Sequence, residues 1–297
     1  MGPAIEIRDL VKTFGNFRAL DGLDLSVEPG TIHGFLGPNG SGKSTAIRIL
    51  MGVLHATSGT ARVLGADARS DPSVLKRVGY VAGDVALWPG LTGWETFRTL
   101  ESLRRRKVDR AREEELIEAF KLNPDKKCRE YSTGNRRKVS LVAALSMGAE
   151  ALILDEPTAG LDPLMEQEFV HQVRRERNRG TTVLLSSHIM SEVEKLCDHV
   201  TIIRDGRTVE SGSMEDLKHL STHEITAKVS RETPELKAIP GISLRHGEVR
   251  IAATRDQVPA YLRAILDAGG EGITSIPASI EEMFLEHYGE DGRRAER

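Results

Sequence analysis

The chain has 297 residues, of which 39% are hydrophobic and 29% charged, and its formal net charge at pH 7 is −3. This composition predicts a soluble globular protein with one large domain and a small second one. The net charge is slightly negative, whereas proteins that wrap nucleic acid are basic, so no nucleic acid partner is expected. An apolar run of about 18 residues, as a membrane-spanning helix requires, does not occur, and the first ten residues lack a signal-peptide core. The two cysteines, Cys128 and Cys197, form no CxxC pair, which favours a reducing compartment and no structural metal.

The first half of the chain predicts strands, a glycine-rich loop and then a helical region. Short apolar runs predict strands at residues 4–9, 23–27 and 31–36, and a helix follows from Ser44 to about Met51. Residues 91–147 are charged and helical in pattern, with Leu116 and Phe120 on a weak apolar stripe. We interpret this region as a helical subdomain inserted into an α/β core.

The second half returns to strands. The wholly apolar run 151–154 suits the buried middle of a parallel sheet. Further strands and two helices are predicted along the rest of the chain. The strands are 181–187, 200–204, 224–229, 248–253 and 273–276, and the helices are 258–267 and 280–288. We therefore expect a main domain at 1–217, an accessory α+β domain at 218–288 and a charged, disordered tail at 289–297.

The strongest motif lies at residues 37–45, between a predicted strand and a predicted helix. It reads Gly-Pro-Asn-Gly-Ser-Gly-Lys-Ser-Thr and fits the phosphate-loop pattern G-x-x-x-x-G-K-[ST] in the context that the pattern requires. Glycines allow the backbone N–H groups to surround phosphate oxygens, and the helix adds its positive end. The predicted nucleotide contacts are Gly37, Asn39, Gly40, Ser41, Gly42, Lys43, Ser44 and Thr45. Lys43 should reach the β- and γ-phosphates of ATP, and Ser44 should bind Mg²⁺.

Two acids follow the apolar strand at 151–154. Asp155 suits a contact with Mg²⁺, and Glu156 is placed to polarise a water for attack on the γ-phosphate. The alternative for Asp155 is a strand-end acid that bonds to a loop. Asp162 is predicted both to contact the nucleotide and to cap the next helix, because Pro163 follows it.

Over residues 4–215, the order of these motifs resembles the ATP-binding subunits of ABC transporters. Residues 131–135, Tyr-Ser-Thr-Gly-Asn, stand where that family usually has Leu-Ser-Gly-Gly-Gln, and Ser132 lies 23 residues before Asp155. The resemblance implies an α/β P-loop cassette with a mixed sheet and an inserted helical subdomain. It also implies that Ser132 and Gly134 bind the γ-phosphate held by the opposite subunit, whereas the pentapeptide alone could be a plain helix cap.

Two further positions gain a role from the resemblance. His188, after the strand at 181–187, matches the histidine that contacts the γ-phosphate and orients the attacking water. Together with Glu156 and Lys43 it completes the predicted catalytic set. Phe14 stands where the family places an aromatic ring under adenine, although it could be a core residue, and Phe17 is a rival for the same role.

One position departs from the family pattern. Gly83 stands where the family carries a glutamine that joins the Mg²⁺ site and links it to the permease contact. Glycine has no side chain for either task, so we expect water or Asp84 to complete the Mg²⁺ shell and the coupling to be looser. Hydrolysis is expected to survive because Glu156 and His188 remain.

The motif at residues 131–135, which we call the signature motif, resembles one subgroup of the family, the bacterial drug- and antibiotic-export type. The segments 87–93 and 279–285 resemble the same subgroup. This resemblance implies two cassettes, identical or related, around two ATP molecules. It also implies a separate integral-membrane permease at the inner face of the cell membrane. Trp88 and Trp94 either touch that permease or pack in the core. The alternatives are a soluble ABC ATPase that moves no solute, an importer motor and an unrelated P-loop enzyme.

Overall fold

The computed structural model describes residues 2–105, 107–216 and 223–277. The chain divides into two compact units, Met1–Gly212 and Ser213–Arg297. This division lies five residues before the predicted boundary at 217/218. The predicted boundary at 217/218, the helix at 280–288 and the tail at 289–297 lie outside the described residues.

A six-stranded sheet forms the centre of the first unit. Its strands, in spatial order, are β5 (Val78–Val81), β6 (Ala151–Asp155), β7 (Thr182–Ser187), β3 (Ile32–Leu36), β8 (His199–Arg204) and β9 (Arg207–Ser213). The pairs from β5 to β8 are parallel. Every residue of β3, β6 and β7 is buried, as expected for parallel strands covered on both faces. The carboxyl ends of these three strands therefore meet at one edge of the sheet.

A second sheet of the first unit is antiparallel, with the order β2-β1-β4. Its strands are β1 (Ile5–Phe14), β2 (Phe17–Val27) and β4 (Ser58–Val63). The predictions for residues 4–9 and 23–27 located β1 and β2 but were too short. The two strands continue into a hairpin whose last pair is Phe14 opposite Phe17.

Helices surround the sheets of the first unit. They are α1 (Lys43–Leu50), α2 (Gly93–Arg104), α3 (Arg110–Ala119), α4 (Thr133–Leu145), α5 (Pro163–Asn178) and α6 (Met190–Leu196), with 3₁₀ turns at Pro72–Arg77 and Cys128–Glu130. The region 91–147 is therefore helical, as predicted, and Leu116 and Phe120 are fully buried. Each of its α-helices begins at a side-chain cap, which satisfies N–H groups that the helix leaves free. The capping residues are Thr92, Asp109 and Ser132.

The second unit has its own core and a β-α-β-β-α-β order. Its elements are β10 (His223–Val229), α7 (Pro234–Lys237), β11 (Ser243–Arg245), β12 (Glu248–Ala253), α8 (Val258–Asp267) and β13 (Gly270–Pro277). The antiparallel sheet has the order β11-β12-β10-β13, which is the ferredoxin-like arrangement. Alternate residues of β10 and β12, with Leu236 and Ile265 of the helices, form the core.

None of the described helices is long and apolar enough to cross a membrane.

Candidate functional site

The phosphate loop connects β3 to α1 at the carboxyl edge of the central sheet. At two of its glycines, neighbouring atoms leave no room for a Cβ. A Cβ on Gly37 would lie 2.3 Å from the carbonyl oxygen of Ile203, and one on Gly42 would lie 2.8 Å from that of Ala19. Gly42 also has a φ of 109°, which side chains rarely adopt. Close packing against β8 and β2 thus fixes the path of the loop into the N-terminus of α1.

Lys43, the first residue of α1, turns back over the loop. Its side chain is only 5% exposed, and its Nζ donates to the carbonyl oxygens of Gly37 at 2.6 Å and Pro38 at 3.1 Å. Burial lowers the pKa of the Lys43 ammonium group, while the carboxylates of Glu156 and Asp155 oppose that shift. A buried cation held mainly by neutral carbonyl oxygens suits an anionic ligand.

Ser41 adds a second sign of an anion site. Its hydroxyl oxygen is buried and has no hydrogen-bond partner in the structure. A buried hydroxyl of this kind needs a partner to offset its lost hydration. The loop, the Ser41 hydroxyl and Lys43 therefore fit the phosphates of a nucleotide.

Asp155 and Glu156 occupy the end of β6, where β7 positions them. The Ser186 hydroxyl on β7 donates to Oδ1 of the buried Asp155 at 2.5 Å. The Glu156 N–H donates to the carbonyl oxygen of Ser186 at 3.1 Å and to its hydroxyl at 3.2 Å. Glu156 has a φ of 47°, in the left-handed region that is uncommon for a non-glycine residue. Backbone strain of this kind is typical of functional sites. Ser186, which bonds to both acids, was missed by the sequence analysis.

Glu156 lies between Lys43 and His188. Its Oε1 is 3.9 Å from Nζ of Lys43, and its Oε2 is 2.9 Å from Nδ1 of His188. His188 follows β7, and its side chain is 42% exposed. The structure thus brings together the three residues that the sequence predicts as catalytic. A carboxylate held between an ammonium group and an imidazole suits the orientation of a water.

Gly83 lies directly against Asp155. A Cβ on Gly83 would stand 3.1 Å from Oδ2 of Asp155, so the backbone itself approaches the acid. The two carbonyl oxygens at this point, those of Ala82 and Gly83, accept hydrogen bonds of 2.7 and 2.6 Å from the guanidinium group of Arg137. Arg137 belongs to α4, and the sequence analysis assigned it no role.

The predicted signature residues pack against the loop that follows the acids. Ser132 is the N-cap of α4, and its hydroxyl accepts from the N–H of Asn135 at 3.3 Å. A Cβ on Gly134 would lie 2.4 Å from the carbonyl oxygen of Gly160, so only glycine fits there. Asp162 caps α5 through bonds of 3.1 and 3.0 Å from the N–H groups of Leu164 and Met165. The capping part of the Asp162 prediction is confirmed; its contact with nucleotide stays a prediction.

Glu192 is a further residue that the sequence analysis missed. This side chain on α6 accepts from the Thr158 hydroxyl at 2.8 Å and from the Ser187 hydroxyl at 2.9 Å. Thr158 lies two residues after Glu156, and Ser187 immediately precedes His188. Glu192 therefore connects the two chain segments that carry the central pair of the site.

The hairpin of β1 and β2 carries two exposed aromatic rings. Phe14 is 46% exposed and Phe17 is 64% exposed, so the core alternative for Phe14 was wrong. The Lys12 ammonium group lies 4.7 Å from the centre of the Phe14 ring, a cation–π arrangement. An open ring face of this kind suits stacking of a base, and Phe17 remains a rival for that role.

Comparisons with known proteins identify the family of the chain. The family model described as ABC transporter matches residues 20–159. The chain is 36% identical over 296 residues to the daunorubicin/doxorubicin resistance ATP-binding protein DrrA of Streptomyces peucetius, covering 95% of this chain and 86% of the relative. It is 34% identical over 228 residues to the bacitracin transport ATP-binding protein BcrA of Bacillus licheniformis, covering 73% and 72% respectively.

A solved structure described as an ATP-binding subunit of an ABC transporter has a TM-score of 0.67 to this chain. The match is 26% identical and covers 72% of this chain and 92% of that structure. Fold and family therefore agree with the α/β P-loop cassette and with the resemblance inferred from the motifs. The chain belongs to the ATP-binding subunits of ABC transporters, and its relatives include those of the drug- and antibiotic-resistance type.

Proposed function

We propose that this chain is the ATP-hydrolysing motor of an exporter that moves a drug-like, antibiotic or lipid-like solute through a separate permease. The observation that carries the proposal is the cluster of Lys43, Glu156 and His188 beside a phosphate loop. The names of the relatives, which refer to resistance to daunorubicin and to transport of bacitracin, support the solute class and the direction.

In this proposal the backbone N–H groups of the loop surround the phosphates; they belong to Gly37, Asn39, Gly40 and Gly42. The Ser41 hydroxyl donates a further hydrogen bond to a phosphate oxygen. The helix end at Ser44 and Thr45 adds a positive pole. Lys43 exchanges its carbonyl partners for phosphate oxygens of ATP. A charged partner makes stronger hydrogen bonds than a neutral carbonyl, so the exchange favours binding.

The proposed chemistry is attack of water on the γ-phosphate of ATP. The Glu156 carboxylate accepts a hydrogen bond from the water and orients it in line, while His188 holds the carboxylate and faces the phosphate. Ser44 and Asp155 are the residues that would hold Mg²⁺. Hydroxyl and carboxylate oxygens are the ligands that this ion takes in proteins. When bound, the ion offsets the charge that develops on the phosphate oxygens.

Ser132 and Gly134 are proposed to complete the site of a second copy of the cassette. A phosphate loop and a signature motif on each of two chains complement each other across a two-fold axis. Two ATP molecules would then lie between two cassettes. ATP binding closes this dimer and hydrolysis opens it.

The dimer is tested with Glu156→Gln, which keeps the size of the side chain and removes its charge. The variant is expected to form a dimer in Mg·ATP that persists during light scattering, while it is monomeric without nucleotide. The wild-type chain, assayed with its permease, should hydrolyse ATP at a rate at least about a hundredfold above that of Glu156→Gln. Equal rates, or a monomeric variant at saturating Mg·ATP, would refute the motor assignment.

The proposed location is the cytoplasmic face of the cell membrane, where the cassette would be held by its permease. Trp88 supports this placement because its ring is exposed at the start of the helical subdomain, whereas Trp94 packs edge-to-face on Phe97 at 5.9 Å. A tagged chain recovered from detergent-solubilised membranes should bring a multispanning permease with it. Recovery with ribosomes or DNA would instead favour an ABC ATPase that moves no solute.

A further inference from the structure

The side chain of Arg137 connects two parts of the site that are far apart in sequence. Arg137 lies on α4, one turn from Ser132 and Gly134, and it is 4% exposed. Its two terminal nitrogens donate to the carbonyl oxygens of Ala82 and Gly83, at 2.7 and 2.6 Å. These hydrogen bonds join the helix that carries the signature motif to the loop that follows β5.

This arrangement places a buried positive charge beside the acids. Burial lowers the pKa of the Arg137 guanidinium group, and the carboxylates of Asp155, Asp84 and Glu156 act in the opposite direction by attraction. The Nε of Arg137 is also buried and has no hydrogen-bond partner. Keeping a charge and an unpaired donor out of water is costly, so the contribution of this side chain to the site lies in its two hydrogen bonds to the loop.

The contact has a direct consequence for Asp155. Gly83 approaches Oδ2 of Asp155 so closely that a Cβ would be only 3.1 Å away. The loop can keep this approach only if its backbone is held, and Arg137 supplies two charge-assisted bonds to that backbone. A bidentate guanidinium group fixes the direction of both carbonyl groups as well as their distance.

We propose that Arg137 is a positioning residue for ATP hydrolysis, which holds the Ala82–Gly83 backbone against Asp155 and connects it to the start of α4. The inference rests on the proposed function. The contact uses only backbone oxygens of the loop, so it needs no side chain at Gly83. The side chain of Arg137 thus connects the N-terminal end of α4, which carries the signature motif, to the loop that lies against Asp155.

The test uses Arg137→Met, which keeps an unbranched side chain and removes both hydrogen bonds, and Arg137→Lys, which keeps the charge and can replace one of them. The matched control is Arg104→Met. Arg104 also donates to a backbone carbonyl of α4, that of Ala143 at 3.2 Å, but lies outside the site. The full chain is assayed for ATP turnover with its permease. The nucleotide-free chain is examined by hydrogen exchange of the amides at 79–84 and 37–45.

For Arg137→Met we expect kcat to fall about tenfold to a hundredfold, as for loss of alignment at an otherwise intact site. The KM for ATP should change by less than about twofold, because the phosphate loop is untouched. Exchange at 79–84 should become about tenfold faster while exchange at 37–45 stays the same. Arg137→Lys should recover part of both effects, and Arg104→Met should leave kcat and both segments at their wild-type values.

Two results would overturn the inference: wild-type exchange at 79–84 in Arg137→Met, or an equal loss of kcat in Arg104→Met. Should Arg137→Met fail to fold, the same comparison is made between Arg137→Lys and the wild-type chain, where an unchanged kcat and unchanged exchange refute the proposal. A wild-type turnover no faster than that of Glu156→Gln would instead refute the proposed function. In that case the exchange measurement still decides whether Arg137 holds the loop.

Discussion

Acid should weaken the first unit through one buried histidine. His33 on β3 is 3% exposed, and its Nε2 lies 2.8 Å from the Thr201 hydroxyl on β8. Its ring stacks on that of His199, with 6.2 Å between the centres. Burial, and then the charge of His199, lower the pKa of His33 from 6.5 to about 4. The folded chain therefore keeps His33 neutral where the unfolded chain protonates it.

The sign and size of the effect follow from this difference. Between pH 6.5 and pH 4 the unfolded state binds one more proton, so the free energy of unfolding falls as the pH falls. The contribution of His33 is complete above its unfolded pKa. It is reduced by about 1.4 kcal/mol at pH 5.5 and by about 3 kcal/mol at pH 4.

The assay is urea unfolding followed by tryptophan fluorescence at pH 8 and pH 5.5. Both tryptophans, Trp88 and Trp94, belong to the first unit, so the signal reports on it alone. His33→Gln can still bond to Thr201 but does not titrate, and it should lose about 1.4 kcal/mol less than the wild-type chain between the two pH values. The exposed His171→Gln is the control and should behave as wild type. An identical pH dependence in His33→Gln and wild type would refute the reasoning.

Three further outcomes are expected. Arg112→Met should lower the free energy of unfolding by about 2 kcal/mol, because the buried carboxylate of Glu176 loses its partner at 2.8 Å and keeps only the more exposed Arg179 at 3.0 Å; urea unfolding of the variant measures this. Phe14→Ala should weaken ATP binding about fivefold in calorimetry, as for the loss of one stacking contact. The thiol of Cys197 should not react with a disulfide reagent at pH 8 unless the chain is unfolded, because burial raises its pKa well above the usual value.

Each of these outcomes has a matching control. Replacing Glu176 by Met in the Arg112→Met background should restore part of the lost stability, since a buried carboxylate that has lost its closer partner is then removed; no recovery would contradict the ion-pair argument. Phe17→Ala should leave the affinity for ATP unchanged, and the opposite result would move the stacking role to Phe17. Rapid reaction of the native thiol would show that β3 and α6 do not exclude solvent from Cys197.

Much of the nucleotide site could be predicted because its chemistry depends on residues close together in sequence. The phosphate loop needs glycines at fixed spacing before a helix, and the acids follow a strand that is wholly apolar. These local patterns predicted Lys43, Asp155 and Glu156 and located β3, β6 and α1. The position of His188 required the family resemblance, because a single histidine after a strand has no local signal of its own.

The rest depends on contacts between distant segments, and such contacts leave no local pattern. Ser58–Val63 and Arg207–Ser213 form strands although they are short of apolar residues, because neighbouring strands supply their hydrogen bonds. The sequence analysis assigned no role to Arg137, which is buried against a loop 54 residues earlier in the chain. The ferredoxin-like order of the second unit likewise could not be derived, since pairing order is a property of the fold.

The Ser186 hydroxyl has a consequence for movement within the site. One oxygen donates to Asp155 and accepts from the N–H of Glu156, so β7 holds both acids at a single point. His188 continues from the same strand. We therefore expect a displacement of β7 to move the two acids and the imidazole together. In the proposed dimer, these three groups would keep their geometry relative to one another while their distance from the signature motif of the second cassette changes.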